Sequence, residues 1–218
     1  MAHKALADHR PWLLLSLLAA VPYFFVMDDE IGGAWLMIWK GAGVGLLAIY
    51  AATRGRGSDG LLIAAVMAIA ACADVALEIS FLVGGGLFAL SHIVAIGLYL
   101  RNRRAKTSFS QRLAGFALVV LPAAIAALMT RPLSNWELAT AYSGLVGLMA
   151  AAAWTSRFPR YRVGIGAVMF VASDLLIFAR ESQTLPSELT DWLVWPLYYA
   201  AQFLIVTGVV QTLRGKKV

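Results

Sequence analysis

Apolar residues run along this chain in long blocks. They do not follow the two-residue alternation of a half-buried strand or the single stripe of a water-exposed helix. A helix rising about 1.5 Å per residue crosses the roughly 30 Å hydrocarbon core in about 20 residues. Eight segments meet that length, near 11–27, 32–52, 60–80, 82–100, 112–129, 136–156, 161–181 and 191–213. The first opens on Pro11-Trp12 and ends in Tyr23-Phe24-Phe25-Val26-Met27-Asp28, with no small-residue cleavage pattern, so it is expected to be retained as a span. Between the third and fourth segments the turn is marked only by Gly84-Gly85-Gly86. The expected fold is therefore all-α, a single eight-helix transmembrane domain over residues 1–218.

Composition strengthens this reading. The chain is 61% hydrophobic and 14% charged, with a mean hydropathy of +0.76. Soluble domains carry about 25% charged residues, so a water-facing surface is excluded, as is disorder, which needs the opposite balance. A transmembrane barrel would show alternating segments of about ten residues. One cysteine, Cys72, forms no intramolecular disulfide. Seven tryptophans and seven tyrosines suit two interfacial belts.

Charge then orients the bundle. Lys4, Arg10, Arg54, Arg56, Arg101, Arg103, Arg104, Lys106, Arg112, Arg157, Arg160, Arg162, Arg214, Lys216 and Lys217 fall on one side. These are fifteen of the 18 lysines and arginines; the other side holds only Arg131 and Arg180. Asp28, Asp29, Glu30, Glu137, Glu181, Glu188 and Asp191 gather on that second side. The positive-inside rule puts both termini in the cytoplasm and requires an even number of spans. The net charge of +6 thus reports topology and anionic headgroups. No nucleic-acid motif is present, and the lipid bilayer is the expected partner.

Ionisable groups inside the spans carry the chemistry, since placing one there costs at least about 2.5–3.5 kcal/mol. They are Lys40 in span two, Asp74 in span three, His92 in span four and Asp174 in span seven, with Glu78 one turn beyond Asp74. Tyr142 in span six and Tyr198, Tyr199 and Gln202 in span eight add uncharged polar groups. Counted along the spans, Lys40, Asp74, His92, Asp174, Tyr198 and Gln202 fall in one layer between the outer surface and the membrane centre. Ala73-Asp74-Val75-Ala76-Leu77 also resembles Ser173-Asp174-Leu175-Leu176-Ile177, which fits a four-plus-four parallel repeat with the aspartates as mates. Plainer roles exist for each residue: an Asp74–Lys40 pair locking two helices, a packing histidine, tyrosines as interhelical glue, Arg180-Glu181 as a solvated helix-end pair. Gly41 and Gly45 form a G-x-x-x-G that permits a helix contact within or between chains. None of these roles explains a common depth.

Several chemistries are excluded. A metal needs three or four converging ligands, and His92 is the lone histidine in a span. A retinal lysine would sit on the last helix, and no G-x-S-x-G occurs. Two carboxyl groups in a low-dielectric setting can instead divide roles, one kept protonated by burial and one kept ionised by a cation such as Lys40.

The same residues carry a resemblance. Ala73-Asp74-x-x-Leu77, Phe81, Gly84 to Gly86, Phe88 and His92 resemble the third and fourth spans of the YhhN-like family, which includes the vertebrate lysoplasmalogenases. Phe170-x-x-Ser173-Asp174 resembles its seventh span and Tyr198-Tyr199-x-x-Gln202-x-Leu204-Ile205 its eighth. Lys40 and Ala141-Tyr142 fall where the family carries a lysine and a tyrosine. Three positions depart: Gly41 replaces the usual proline, Ala73 a glycine, and Ala95 a tyrosine.

The resemblance implies hydrolysis of the vinyl ether bond of a lysoplasmalogen-type lysolipid, without metal or organic cofactor. Asp74 and Asp174 would be the acid and the anionic stabiliser, in either order. Lys40 would hold one of them ionised or bind the substrate phosphate. His92, Tyr142, Tyr199 and Gln202 would position water and the glycerol hydroxyl, with Glu78 and Tyr198 in support. The expected location is a bacterial inner membrane, and the expected site is one pocket with the two aspartates within about 15 Å, wider than the glycosidase range. The competing class is a small proton-coupled transporter of a lipophilic solute.

Overall fold

The structure, a computed structural model, describes residues 10–27 and 33–215. Lys4, Asp28, Asp29, Glu30, Lys216 and Lys217, which enter the charge asymmetry, lie outside the described residues. Every regular element among the described residues is helical: α1 (Pro11–Val26), α2 (Ala34–Arg54), α3 (Gly57–Leu77), α4 (Phe81–Arg101), α5 (Phe109–Thr130), α6 (Trp136–Thr155), α7 (Ile165–Glu181) and α8 (Ser187–Gly215). A five-residue π turn, Arg160–Gly164, leads into α7.

Seven of these helices, counting the π turn with α7, are long and apolar enough to cross a membrane. Their large side chains also face outward. On α5, Phe109, Leu113, Phe116, Val120, Leu121 and Leu128 are exposed, which water would penalise and lipid tails accept. The chain is an integral membrane protein. The first helix, which matches the expected first span to within a residue, is shorter: its 16 residues rise about 24 Å against a core of roughly 30 Å.

Two boundaries also differ from the sequence reading. Glu78, Ile79 and Ser80 make the turn between α3 and α4, and Gly84 to Gly86 lie inside α4. Position 84 has no room for a side chain, since a Cβ there would come within 2.7 Å of the Leu77 backbone nitrogen, so the first turn of α4 crosses directly over the end of α3. The last helix starts at Ser187 and runs 29 residues. Its polar opening ends the hydrophobic block but not the helix, since Glu188 in the first turn suits the positive helix end.

Contacts divide the chain into two compact units, one taking residues up to Val94 and those from Val210 on, the other Ala95–Val209. Within the first, α1 is tied to α2 by Ser16, which donates to the Gly43 carbonyl (2.6 Å), and by the Trp39 indole, which donates to that of Ala19 (2.8 Å). Helix α2 lies on α3 at Gly41, where a Cβ would sit 3.0 Å from the Ala71 carbonyl oxygen and 2.7 Å from a Val75 methyl. Gly45 has ordinary space, 3.8 Å to Ala71. The G-x-x-x-G thus makes its close contact within the chain, at its first glycine. Gly41→Leu should cost well over 1 kcal/mol and loosen the neighbouring Lys40, whereas Gly45→Ala should shift Tm little; thermal unfolding of both variants in detergent would check this.

Within the second unit, α5 begins with a capping box in which Ser108 and Gln111 satisfy each other's backbone amides. It packs along α6, with α7 against both. The connection before α5 is clasped to the one before the π turn. The Arg104 guanidinium donates to the carbonyls of Ser156 (2.7 Å) and Phe158 (3.3 Å), while its backbone amide donates to Thr155. Burial and the nearby Arg160 charge together lower the Arg104 pKa below its ordinary value. Arg104→Ala strands two buried carbonyls and should destabilise the protein by about 1–3 kcal/mol. Arg104→Lys, lacking the fork, should rescue it only in part. In a denaturant titration, Arg104→Lys would match the wild type if charge alone mattered.

Candidate functional site

Each unit buries one aspartate and surrounds it differently. In the first unit Asp74 is 1% exposed, on the last turn of α3. One turn on, Glu78 caps the helix and accepts from the Lys40 ammonium of α2 at 2.5 Å. Lys40 is thus paired with Glu78, one turn beyond the Asp74 considered as its partner from sequence. The reason is reach: Asp74 and Glu78 stack on one helix face, and the cation meets the outer, more hydrated carboxylate. Lys40 is mostly covered and Glu78 is 41% exposed. His92, 3% exposed on α4, is stacked on Phe88 with ring centroids 6.4 Å apart. The residue before it, Ser91, donates to the Val66 carbonyl, fixing α4 against α3.

In the second unit Asp174 is 8% exposed within α7. Its Oδ2 accepts from the Tyr142 hydroxyl of α6 at 3.0 Å. The tyrosine ring is held edge-on by Phe178, one turn after Asp174, with centroids 6.0 Å apart. Phe178 in turn packs with Ala126 and Ala139, so the phenol's position is set by the apolar core. On its other side α7 is tied to α8 through Ser173, which donates to the Val194 carbonyl at 3.0 Å.

Helix α8 offers one polar-aromatic face, with Trp195, Tyr198, Tyr199 and Gln202 at positions i, i+3, i+4 and i+7. Gln202 donates to the Tyr198 hydroxyl at 3.4 Å, and Phe170 of α7 meets the Tyr198 ring edge-on at 5.4 Å. Trp195 stacks on Tyr199 at 6.2 Å. The sequence reading passed over Trp195, although its spacing before the two tyrosines was the available signal.

Both units follow one rule. The second-turn lysine or tyrosine of one helix reaches the acidic helix that follows it: α2 to α3 through Lys40 and Glu78, α6 to α7 through Tyr142 and Asp174. Within the first unit, Asp74 lies three residues from the end of α3 and Lys40 six from the start of α2; within the second, Asp174 lies seven from the end of α7, and Tyr198 and Gln202 eleven and fifteen from the start of α8. Arg180 was read as a solvated partner of Glu181; it also donates to Asp191 at 2.8 Å, closing the α7–α8 connection. Among the described residues no three His, Cys, Asp or Glu side chains gather as a metal set.

No curated protein and no solved structure matches the chain significantly. The sequence model of the YhhN family matches residues 35–209, a stretch that holds Lys40, both aspartates, His92, Tyr142 and the aromatic face of α8. The chain belongs to the YhhN family.

Proposed function

We propose that the protein is a membrane hydrolase that cleaves the vinyl ether bond of a lysoplasmalogen-type lysolipid, giving a fatty aldehyde and a glycerophospho-base. The observation that carries the reading is the burial of two aspartates, Asp74 and Asp174, in otherwise apolar helices, where an ionisable group is costly and marks function. Family membership and the same residue set in sequence support it.

The reaction suits two carboxyl groups. One carboxylic acid delivers a proton to the β-carbon of the vinyl ether, and the π electrons leave an oxocarbenium ion on the ether side. The other, as carboxylate, stabilises that cation, as in glycosidase transition states. Water adds to the cationic carbon and loses a proton, and the hemiacetal collapses to aldehyde and alcohol. Tyr142 holds Asp174 in place. Lys40 is the cation for the substrate phosphate, and His92, Tyr199 and Gln202 orient water and the glycerol hydroxyl. Glu78 positions Lys40, and Tyr198 supports Gln202. The alkenyl chain lies along apolar helix walls. In this reading α1 crosses the bilayer as an eighth span, both termini face the cytoplasm of a bacterial inner membrane, and spans one to four and five to eight form a four-plus-four parallel repeat.

Proton-coupled export is the second reading, since buried carboxylates also exchange protons. Purified protein in detergent, incubated with lysoplasmalogen, separates the two. The hydrolase releases aldehyde there, whereas a transporter has no gradient to work against and yields none.

A further inference from the structure

The basic end of the first unit holds a cavity of about 330 Å³ lined by Arg10, Arg56, Gln211, Arg214 and Gly215. Its volume is that of a small ligand cleft. Arg10, Arg54 and Arg214 all lie within electrostatic reach of the buried Tyr50 hydroxyl, so Arg54 joins the same cluster, and its Nε is buried with no hydrogen-bond partner. Three guanidiniums therefore line the cavity with Arg54 close by, and Asp59 in the first turn of α3 contributes one negative charge among the described residues of this end.

Helix ends make the excess larger. Arg10 and Arg56 occupy the N-cap positions of α1 and α3, and neither makes a side-chain cap. Those positions favour Ser, Thr, Asp or Asn, whose oxygens satisfy free amides at the positive helix end. Arginines there add charge of the wrong sign for the helix, a cost that a bound anion removes. Arg54 and Arg214, in the last turns of α2 and α8, have the favourable sign, so the imbalance is local to the two N-caps.

We propose that this arginine-lined cavity binds a phosphate ester or phosphate ion, with the guanidinium forks and the two uncapped helix ends as donors. It is separate from the reaction site. Arg56 and Asp74 are 18 positions apart at opposite ends of α3, about 27 Å at 1.5 Å per residue. The chemistry fits either the headgroup of an anionic lipid on the basic face or free phosphate in solution.

Thermal unfolding of the full chain in a nonionic detergent tests this. Inorganic phosphate, short-chain phosphatidylglycerol and short-chain phosphatidylcholine are added in turn to the wild type and to the Arg10→Gln/Arg56→Gln/Arg214→Gln variant. A Tm rise of about 3 °C or more with phosphatidylglycerol but not phosphatidylcholine assigns the site to a lipid headgroup. A rise with inorganic phosphate alone assigns it to the free ion. In either case the variant must lose the response. Equal responses to the two lipids, an unchanged response in the variant, or no response in the wild type overturns the proposal. Should the triple variant not fold, Arg56→Gln at the exposed N-cap of α3 is read by the same criteria. No step depends on hydrolysis, so the outcome stands apart from the proposed reaction.

Discussion

Asp74→Asn and Asp174→Asn should each leave the protein folded and lower turnover by about 10²-fold or more, because a positioned acid contributes about 10²–10⁴-fold. Asparagine keeps the size of each side chain and one oxygen acceptor. At position 174 the Tyr142 hydroxyl can still donate to the amide oxygen, so packing around Phe178 should survive. A purely structural aspartate would show the opposite pattern, with lost stability and normal turnover of the folded fraction. Aldehyde release and thermal unfolding measured on the same preparations separate the two. Combining both substitutions should cost little more than either alone, since groups that act in one step are not additive.

Lys40→Met should raise KM by about 10-fold or more while kcat changes less, because the cation is assigned to uniform binding of the substrate phosphate. The ion pair with Glu78 makes the companion variant informative. Glu78→Gln removes a competitor for the ammonium, so KM should stay level or fall. If the pair served only to lock α2 to α3, both variants would lose Tm to a similar extent and neither would move KM. Steady-state kinetics with lysoplasmalogens of different headgroup charge would expose the difference, since an assigned phosphate contact is common to all of them.

Helix identity was legible because an apolar block about 20 residues long has few other uses. Helix ends were less so. The triplet Gly84-Gly85-Gly86 reads as a turn in any local sense, yet the crossing of α4 over Leu77 needs a residue without a Cβ at Gly84, which only the packed structure reveals. Ser187 to Asp191 are polar enough to end a hydrophobic window, while their backbone continues the helix.

The polar residues were found by their cost in a membrane, and their partners were not. Asp74 and Glu78 share a face of α3, and the sequence carries no information on how far α2 is shifted along it; that shift decides which carboxylate receives Lys40. Tyr142 was singled out, but its bond to Asp174 depends on the rotation of α6, fixed by Ala126, Ala139 and Phe178. Span ends estimated from the hydropathy blocks shifted as well, since α3 ends at Leu77 and α8 begins at Ser187.

The central claim is proton transfer from a buried carboxyl to carbon, and the most direct measurement is hydrolysis of a lysoplasmalogen by the purified protein in deuterated water, with the aldehyde analysed by mass spectrometry. The aldehyde should carry one solvent deuteron at its α-carbon, turnover should show a normal solvent isotope effect, and Asp74→Asn and Asp174→Asn should lose that product. Aldehyde without solvent deuterium, or full turnover by both asparagine variants, would contradict that claim.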